Sequence, residues 1–204
     1  MPTSFFATAR LAALIAVAGV LVITAGVAAS ADDTPVAGKT PAATTHDHAQ
    51  KLRSDSLGST NNVHRAGTII MGGQPSADDL TLAQKAGVGT VITLRSHGEI
   101  SWDEKEIVER LGMKFIDLGF RVPEDLTDEV FKKSRRALTH ANEKNGVLIH
   151  CASANRVGAL WLVFRVLDGK QSIEDAKKEA ATVGLKTEVY QAKALDYIKR
   201  QQQK

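Results

Sequence analysis

A helix that is apolar on every side folds only when other elements surround it, and this chain contains one. From Val157 to Leu167 the sole polar side chain is Arg165, so no face of the segment is suited to water. It follows the apolar run Val147-Leu148-Ile149 after a short loop, so a buried strand leads into a buried helix at the centre of a domain. Trp161 and Phe164 inside that helix read as core residues. Upstream, from Asn61 onward, short apolar runs alternate with amphipathic segments, the pattern of βα units and a parallel sheet.

Strands are expected at Thr68 to Met71, Val91 to Leu94, Phe115 to Leu118 and the run that ends at Cys151. Gly72-Gly73-Gln74-Pro75 turns the first strand into a helix that Ser76 and Asp79 cap reciprocally. Ser101 with Glu104 repeats that signature before a helix that Gly112 closes, and Ser172 with Asp175 opens another that Gly184 ends. The helix begun at Thr127 places Val130, Phe131, Ala137, Leu138 and Ala141 on one face, with Lys132, Lys133, Arg135 and Arg136 as a solvated face opposite. The last helix, Glu188 to Lys199, turns Val189, Leu195 and Ile198 inward. The fold class is therefore α/β: one domain over residues 61–204, with a four-stranded, mainly parallel sheet flanked by helices. A length of 204 residues with 43% hydrophobic content suits one packed domain with a tail.

That tail reads in two parts. Leu11 to Ala28 is an unbroken apolar and glycine stretch after Arg10, followed by Ala29-Ser30-Ala31 and two aspartates. Residues 1–31 fit a secretory signal cleaved after Ala31, exporting the protein to a periplasmic or extracellular space. The apolar core also reaches the length at which residues 11–28 would anchor the chain in a membrane. Residues 32–60, rich in Ala, Thr, Asp and Ser with Pro35 and Pro41, read as a disordered linker. His46-Asp47-His48 within it are too few for a metal site and read as a solvated tail. A formal charge of +3 without a Lys or Arg block gives no support to nucleic-acid binding.

The chemistry concentrates at His150-Cys151-Ala152-Ser153-Ala154-Asn155-Arg156, where the only cysteine stands at a strand's carboxyl end. Loop amides, a helix N-terminus and the Arg156 guanidinium all favour negative charge at one point, making a Cys-loop-Arg anion cradle. The same groups favour a thiolate, so Cys151 is a candidate nucleophile. A lone cysteine forms no internal disulfide, and an exported thiolate needs a reductant or a sheltered loop.

Together His150, Cys151, Arg156 and Gly158 make the chain resemble the cysteine-dependent tyrosine and dual-specificity phosphatases. Gly73-Gln74-Pro75-Ser76, the strand ending Leu94-Arg95, and Asn155-Arg156-Val157-Gly158-Ala159-Leu160 look like the bacterial phosphatase-like domain of beta-lactamase-hydrolase-like proteins and the phosphatase domain fused to some NAD kinases. The resemblance implies a phosphocysteine mechanism on a phosphorylated protein or small phosphate ester, with no cofactor and no metal. It implies Cys151 as nucleophile, and Ala152, Ser153, Ala154, Asn155 and Arg156 around the phosphate. His150 would support the loop and Arg95 would add an anion contact. Glu124 or Asp125, ahead of Asp117, would be the acid that protonates the leaving group; near a helix start, these carboxylates could instead merely complement its dipole.

Two departures stand out. Four residues separate Cys151 from Arg156 where the family has five, and Val157 replaces the usual Ser or Thr, for which Ser153 is a substitute. The short loop also resembles that of rhodaneses, which hold a Cys persulfide, so a sulfurtransferase is the alternative enzyme. A non-catalytic phospho-anion-binding module is the third reading.

Overall fold

The structure is a computed structural model that describes residues 50–204. The signal or anchor segment, the linker up to residue 49 and His46-Asp47-His48 lie outside the described residues.

Four parallel strands form the centre of the sheet: β3 (Ile69–Gly72), β4 (Val88–Thr93), β5 (Lys114–Asp117) and β6 (Gly146–His150). β6 inserts between β3 and β4, so the order is β1-β2-β3-β6-β4-β5. Two antiparallel strands, β1 (Arg53–Ser54) and β2 (His64–Ala66), extend the β3 side to six strands rather than four. The folded chain accordingly begins before Asn61. Leu57 is buried, and Ser59 and Thr60 are tied to Asp79, so the polar composition of residues 53–60 reflects hydrogen bonding rather than disorder.

Strand side chains alternate between two cores, as the two-residue period requires. Ile69, Met71, Ile92, Leu94, Val147 and Ile149 face α3 (Asp128–Thr139), α4 (Asn155–Leu167), α5 (Ile173–Val183) and α6 (Glu188–Gln202). Ile70, Val91 and Leu148 face α1 (Ala77–Lys85) and α2 (Glu104–Arg110). α4 lies within the larger core, where Trp161 and Phe164 are each 1% exposed. Gly158 lets α4 approach α5 closely, because a Cβ there would stand 2.8 Å from Ala180 O and from Leu185.

Ser76 and Ser172 cap α1 and α5 as expected. The cap of α2 is different: Asp103, not Ser101, accepts from the Glu106 N–H, and Glu104 turns into the protein. In α6 the buried face is Tyr190, Ala194, Tyr197 and Ile198, while Val189 is exposed, because the two tyrosines cover more apolar surface than the aliphatic row. Arg135 is not part of a purely solvated face, since it bonds both carboxylate oxygens of Asp168 at 2.7 and 2.9 Å.

Candidate active site

The carboxyl end of β6 delivers Cys151 to a four-residue loop, Cys151 to Ala154, that runs directly into α4. One fewer residue must turn the chain, and Ala154 does so in the left-handed region at φ 67°. Such a conformation is strained for a residue with a Cβ and persists only where surroundings fix it. Here the Ala152 carbonyl accepts from Gln74 N–H and the Ser153 carbonyl from Asn62 Nδ2. Across a trans peptide the N–H opposes the C=O, so the Ser153 and Ala154 N–H groups turn away from those partners to the open side of the loop. No side chain caps α4, which leaves its first amides with the loop's.

Cys151 is 1% exposed, so its thiol is sheltered from solvent. Asn155 opens α4, with Arg156 second. The Asn155 side chain is engaged elsewhere: its oxygen accepts from Lys186 and Thr187 N–H and its amide donates to Thr187 Oγ1, so only its backbone faces the cradle.

Arg156 is held from three directions. Its Nη1 donates to Leu94 O at 2.8 Å, Phe120 O at 2.7 Å and Glu99 Oε1 at 2.8 Å, and Nη2 donates to Glu99 Oε2 at 2.8 Å. The guanidinium also lies 6.0 Å from the Phe120 ring centroid. Of the five guanidinium donors, Nε–H and the second Nη2–H remain for the Cys151 sulfur and an incoming anion. Burial opposes the positive charge of Arg156, but its hydrogen bonds to the Glu99 carboxylate and its proximity to Cys151 outweigh that cost and raise its affinity for its proton.

Glu99 is the residue that sequence reasoning missed. Hydrogen bonding from Arg156, against the cost of burial and with help from Ser96 N–H and Arg95, holds its carboxyl down at about 2. Arg95 is engaged in the same cluster, 2.9 Å from Glu99 Oε2 and donating to Gln74 Oε1 at 3.3 Å, so it braces the cradle from behind. A second missed carboxylate, Glu104, lies 3.1 Å from His150 Nε2 and accepts from Gln74 Nε2 at 2.9 Å. Burial alone would raise the Glu104 carboxyl; His150, Gln74 and Thr93 together hold it below its ordinary range. The only sequence clue to either was a carboxylate near Leu94-Arg95, and Glu104 was hidden by its place in a helix's first turn.

Glu124 and Asp125 sit on a short 3-10 turn, Pro123–Asp125, between β5 and α3. Asp117 instead accepts from Gly119 N–H at the end of β5. Tyr190, from α6, joins the two halves of the site. Burial raises its phenol above the ordinary range; its hydroxyl donates to Arg121 O at 3.1 Å and its ring meets Phe120 edge-on at 5.4 Å.

No family model matches the sequence, and no curated protein does. Solved structures do. TpbA of P. aeruginosa is 20% identical, with a TM-score of 0.56 over 74% of this chain and 90% of TpbA. A DUF442 protein from Shewanella putrefaciens CN-32 is 18% identical, with a TM-score of 0.58 over 71% and 95%. The core catalytic domain of the PP-IP phosphatase SIW14 from S. cerevisiae, in complex with citrate, is 19% identical, with a TM-score of 0.54 over 71% and 93%. This is the phosphatase fold. Tk-PTP shares it too, and a Cys-to-Ser form of TpbA has been seen in complex with pTyr.

Proposed function

We propose that the protein is a cysteine-dependent phosphatase acting on phosphate monoesters. The observation that carries this reading is one sheltered thiol and one rigidly held guanidinium at the same uncapped helix N-terminus. In the phosphatase fold that point is where an anion is cradled and a thiolate attacks it.

In the first step the Cys151 sulfur attacks phosphorus and the ester oxygen leaves, taking a proton from the Asp125 carboxyl. Arg156 and the loop amides of Ala152, Ser153, Ala154 and Asn155 hold the equatorial oxygens. In the second step water attacks the phosphocysteine, Asp125 accepts its proton, and phosphate and thiolate separate. Asp125 is assigned over Glu124 because it closes the 3-10 turn next to Leu126, whose burial fixes that end of it. His150 and Glu104 fix the floor beneath Cys151 and Arg95 supports Glu99.

Substrates of TpbA and SIW14 type, a phosphotyrosyl protein or a small polyphosphorylated ester, are the chemistry we assign. The protein acts outside the cytoplasm, either released by cleavage after Ala31 or held at the membrane by residues 11–28. The four-residue loop is the one observation that favours a sulfurtransferase instead.

The test is turnover by the full chain beside its Cys151→Ser variant, under reducing conditions, on an aryl phosphate and on thiosulfate with cyanide. Cys151-dependent phosphate release is the expected result. Cys151-dependent thiocyanate formation would replace the phosphatase with a sulfurtransferase, and binding of inorganic phosphate without either product would leave an anion-binding module.

A further inference from the structure

The segment from Arg121 to Asp128 carries both acid candidates, and one helix touches it at three successive places. Tyr190 Oη donates to Arg121 O at 3.1 Å, at the start of the segment. Lys193 Nζ, one turn along α6, reaches Leu126 O at 3.5 Å, just past Asp125. Arg200, two turns further, bonds both oxygens of Asp128 at 2.6 and 2.8 Å, at the first turn of α3. α6 also packs against the 3-10 turn itself, and the Tyr190 ring meets Phe120 edge-on at 5.4 Å. Phe120 in turn gives its carbonyl to Arg156.

These contacts differ from ordinary packing in what they join. Upstream of α3 the backbone of the segment is otherwise held by bonds within itself, Asp125 N–H to Val122 O, Leu126 N–H to Pro123 O and Thr127 N–H to Asp125 O, and at its end Thr127 O accepts from Phe131 N–H. Such a turn keeps its own shape, and Leu126, buried in the core that also holds Cys151, is its one buried anchor. Tyr190 ties the start of the segment to the cradle, since the same side chain donates to Arg121 O and packs edge-on against Phe120, whose carbonyl accepts from Arg156. Glu124 and Asp125 are exposed and have no packing of their own to hold them over the cradle.

We propose that α6 is a splint that holds the acid-bearing segment in one standing position over the cradle, with Tyr190 as the positioning residue for Asp125. The inference rests on the phosphatase reading given above. It makes acid catalysis a property of the resting protein: no closing movement is needed, and α6, the last helix of the chain, sets how well the leaving group is protonated. Tyr190 itself transfers no proton.

Tyr190→Phe removes the hydroxyl and keeps the ring, so the packing on Phe120 survives. Two measurements test it in the full-length protein. The first is the dependence of kcat/KM on the leaving group. Expected for Tyr190→Phe is a loss of about threefold to tenfold on phenyl phosphate, the scale of one hydrogen bond, with a far smaller loss on 2,4-dinitrophenyl phosphate, which needs no acid. The basic limb of the pH profile on phenyl phosphate should flatten in parallel with that of Asp125→Asn. Equal losses on both esters, or none on either, would overturn the splint. The second measurement needs no turnover: amide hydrogen exchange at Asp125, Leu126 and Thr127 should quicken about tenfold in Tyr190→Phe while that of β6 is unchanged. Unchanged exchange at those three amides would overturn the proposal. A wild-type protein without Cys151-dependent phosphate release but with the expected exchange would defeat the phosphatase reading and leave the splint standing.

Discussion

Arg156 and Arg165 occupy the two ends of α4, and physically they are near twins. Both are buried, both are ion-paired to a glutamate at 2.8 Å, and both lie over an aromatic ring, Phe120 at 6.0 Å and Trp161 at 5.2 Å. They differ in where their partners come from. Arg165 is satisfied by Gln171 and Glu179, from the turn after its own helix and from α5. Arg156 draws on Leu94, Glu99 and Phe120, which belong to segments following two different strands, and it adjoins Cys151. A buried arginine closed by its own neighbourhood is a packing device; one whose partners converge from several strand ends is part of a site. The second arrangement can be built only at the carboxyl edge of the sheet, where those loops meet.

The contrast predicts opposite phenotypes. Arg156→Lys keeps the charge but loses the planar fork, and turnover of an aryl phosphate should fall by about 10² to 10³ while Cys151 remains alkylatable. Activity within about threefold of wild type would make Arg156 a second Arg165. Arg165→Leu should do the reverse. It strands the partly buried Glu179, so unfolding free energy should drop by about 3 kcal/mol in a urea titration, with kcat/KM nearly unchanged. A selective loss of turnover there would erase the distinction.

Glu104→Gln tests whether the floor of the site behaves like its roof. Removing the charge opposite His150 should slow turnover by about tenfold through Cys151 positioning, with Glu104→Asp recovering part of the loss. No effect would confine Glu104 to packing.

The smallest expected effect is in acid. The Glu99 carboxyl is lowered from 4.5 to about 2 in the folded protein. A lowered carboxyl stabilises the fold above its unfolded value and stops doing so as pH falls through its folded value. Stability contributed by the Glu99 pair should therefore be intact at pH 6 and decline between about 4.5 and 2. The Glu99→Gln protein should show a shallower decline of its urea midpoint over that window. An identical slope would mean that Glu99 is not the group responsible.

Much of this could be seen in the sequence because it was local. The all-apolar stretch from Val157 did become the buried helix, and strand, Cys151, loop and Arg156 lie in unbroken order, as do the Ser76 and Ser172 caps. What escaped was whatever depends on a partner far along the chain. Glu99 has no local pattern, and its role arises when β6 inserts beside β4 and brings Arg156 to it. Glu104 looked like the third residue of a capping box at Ser101, yet α2 begins two residues later, capped by Asp103, and turns that carboxylate toward His150. Residues 53–60 looked like linker because their polar side chains find distant partners, Ser59 and Thr60 bonding Asp79 and Asp55 pairing with Arg65. Tyr190 was passed over in favour of Val189 because a helix boundary and a face were read from aliphatic residues alone.

The position of β6 has a consequence for the order in which the molecule comes into being. β3 and β4 follow one another in the chain, yet each finds its second neighbour only in β6, far along the sequence, where Ile69 meets Val147 and Val91 meets Leu148. During synthesis β2 can pair with β3 and β4 with β5, but no strand pairing joins the two halves until β6 is made. The strand that does so ends at His150, and the next residue is Cys151. Closure of the sheet and delivery of the nucleophile thus belong to the same strand, and the cradle cannot be assembled before both halves of the sheet are joined.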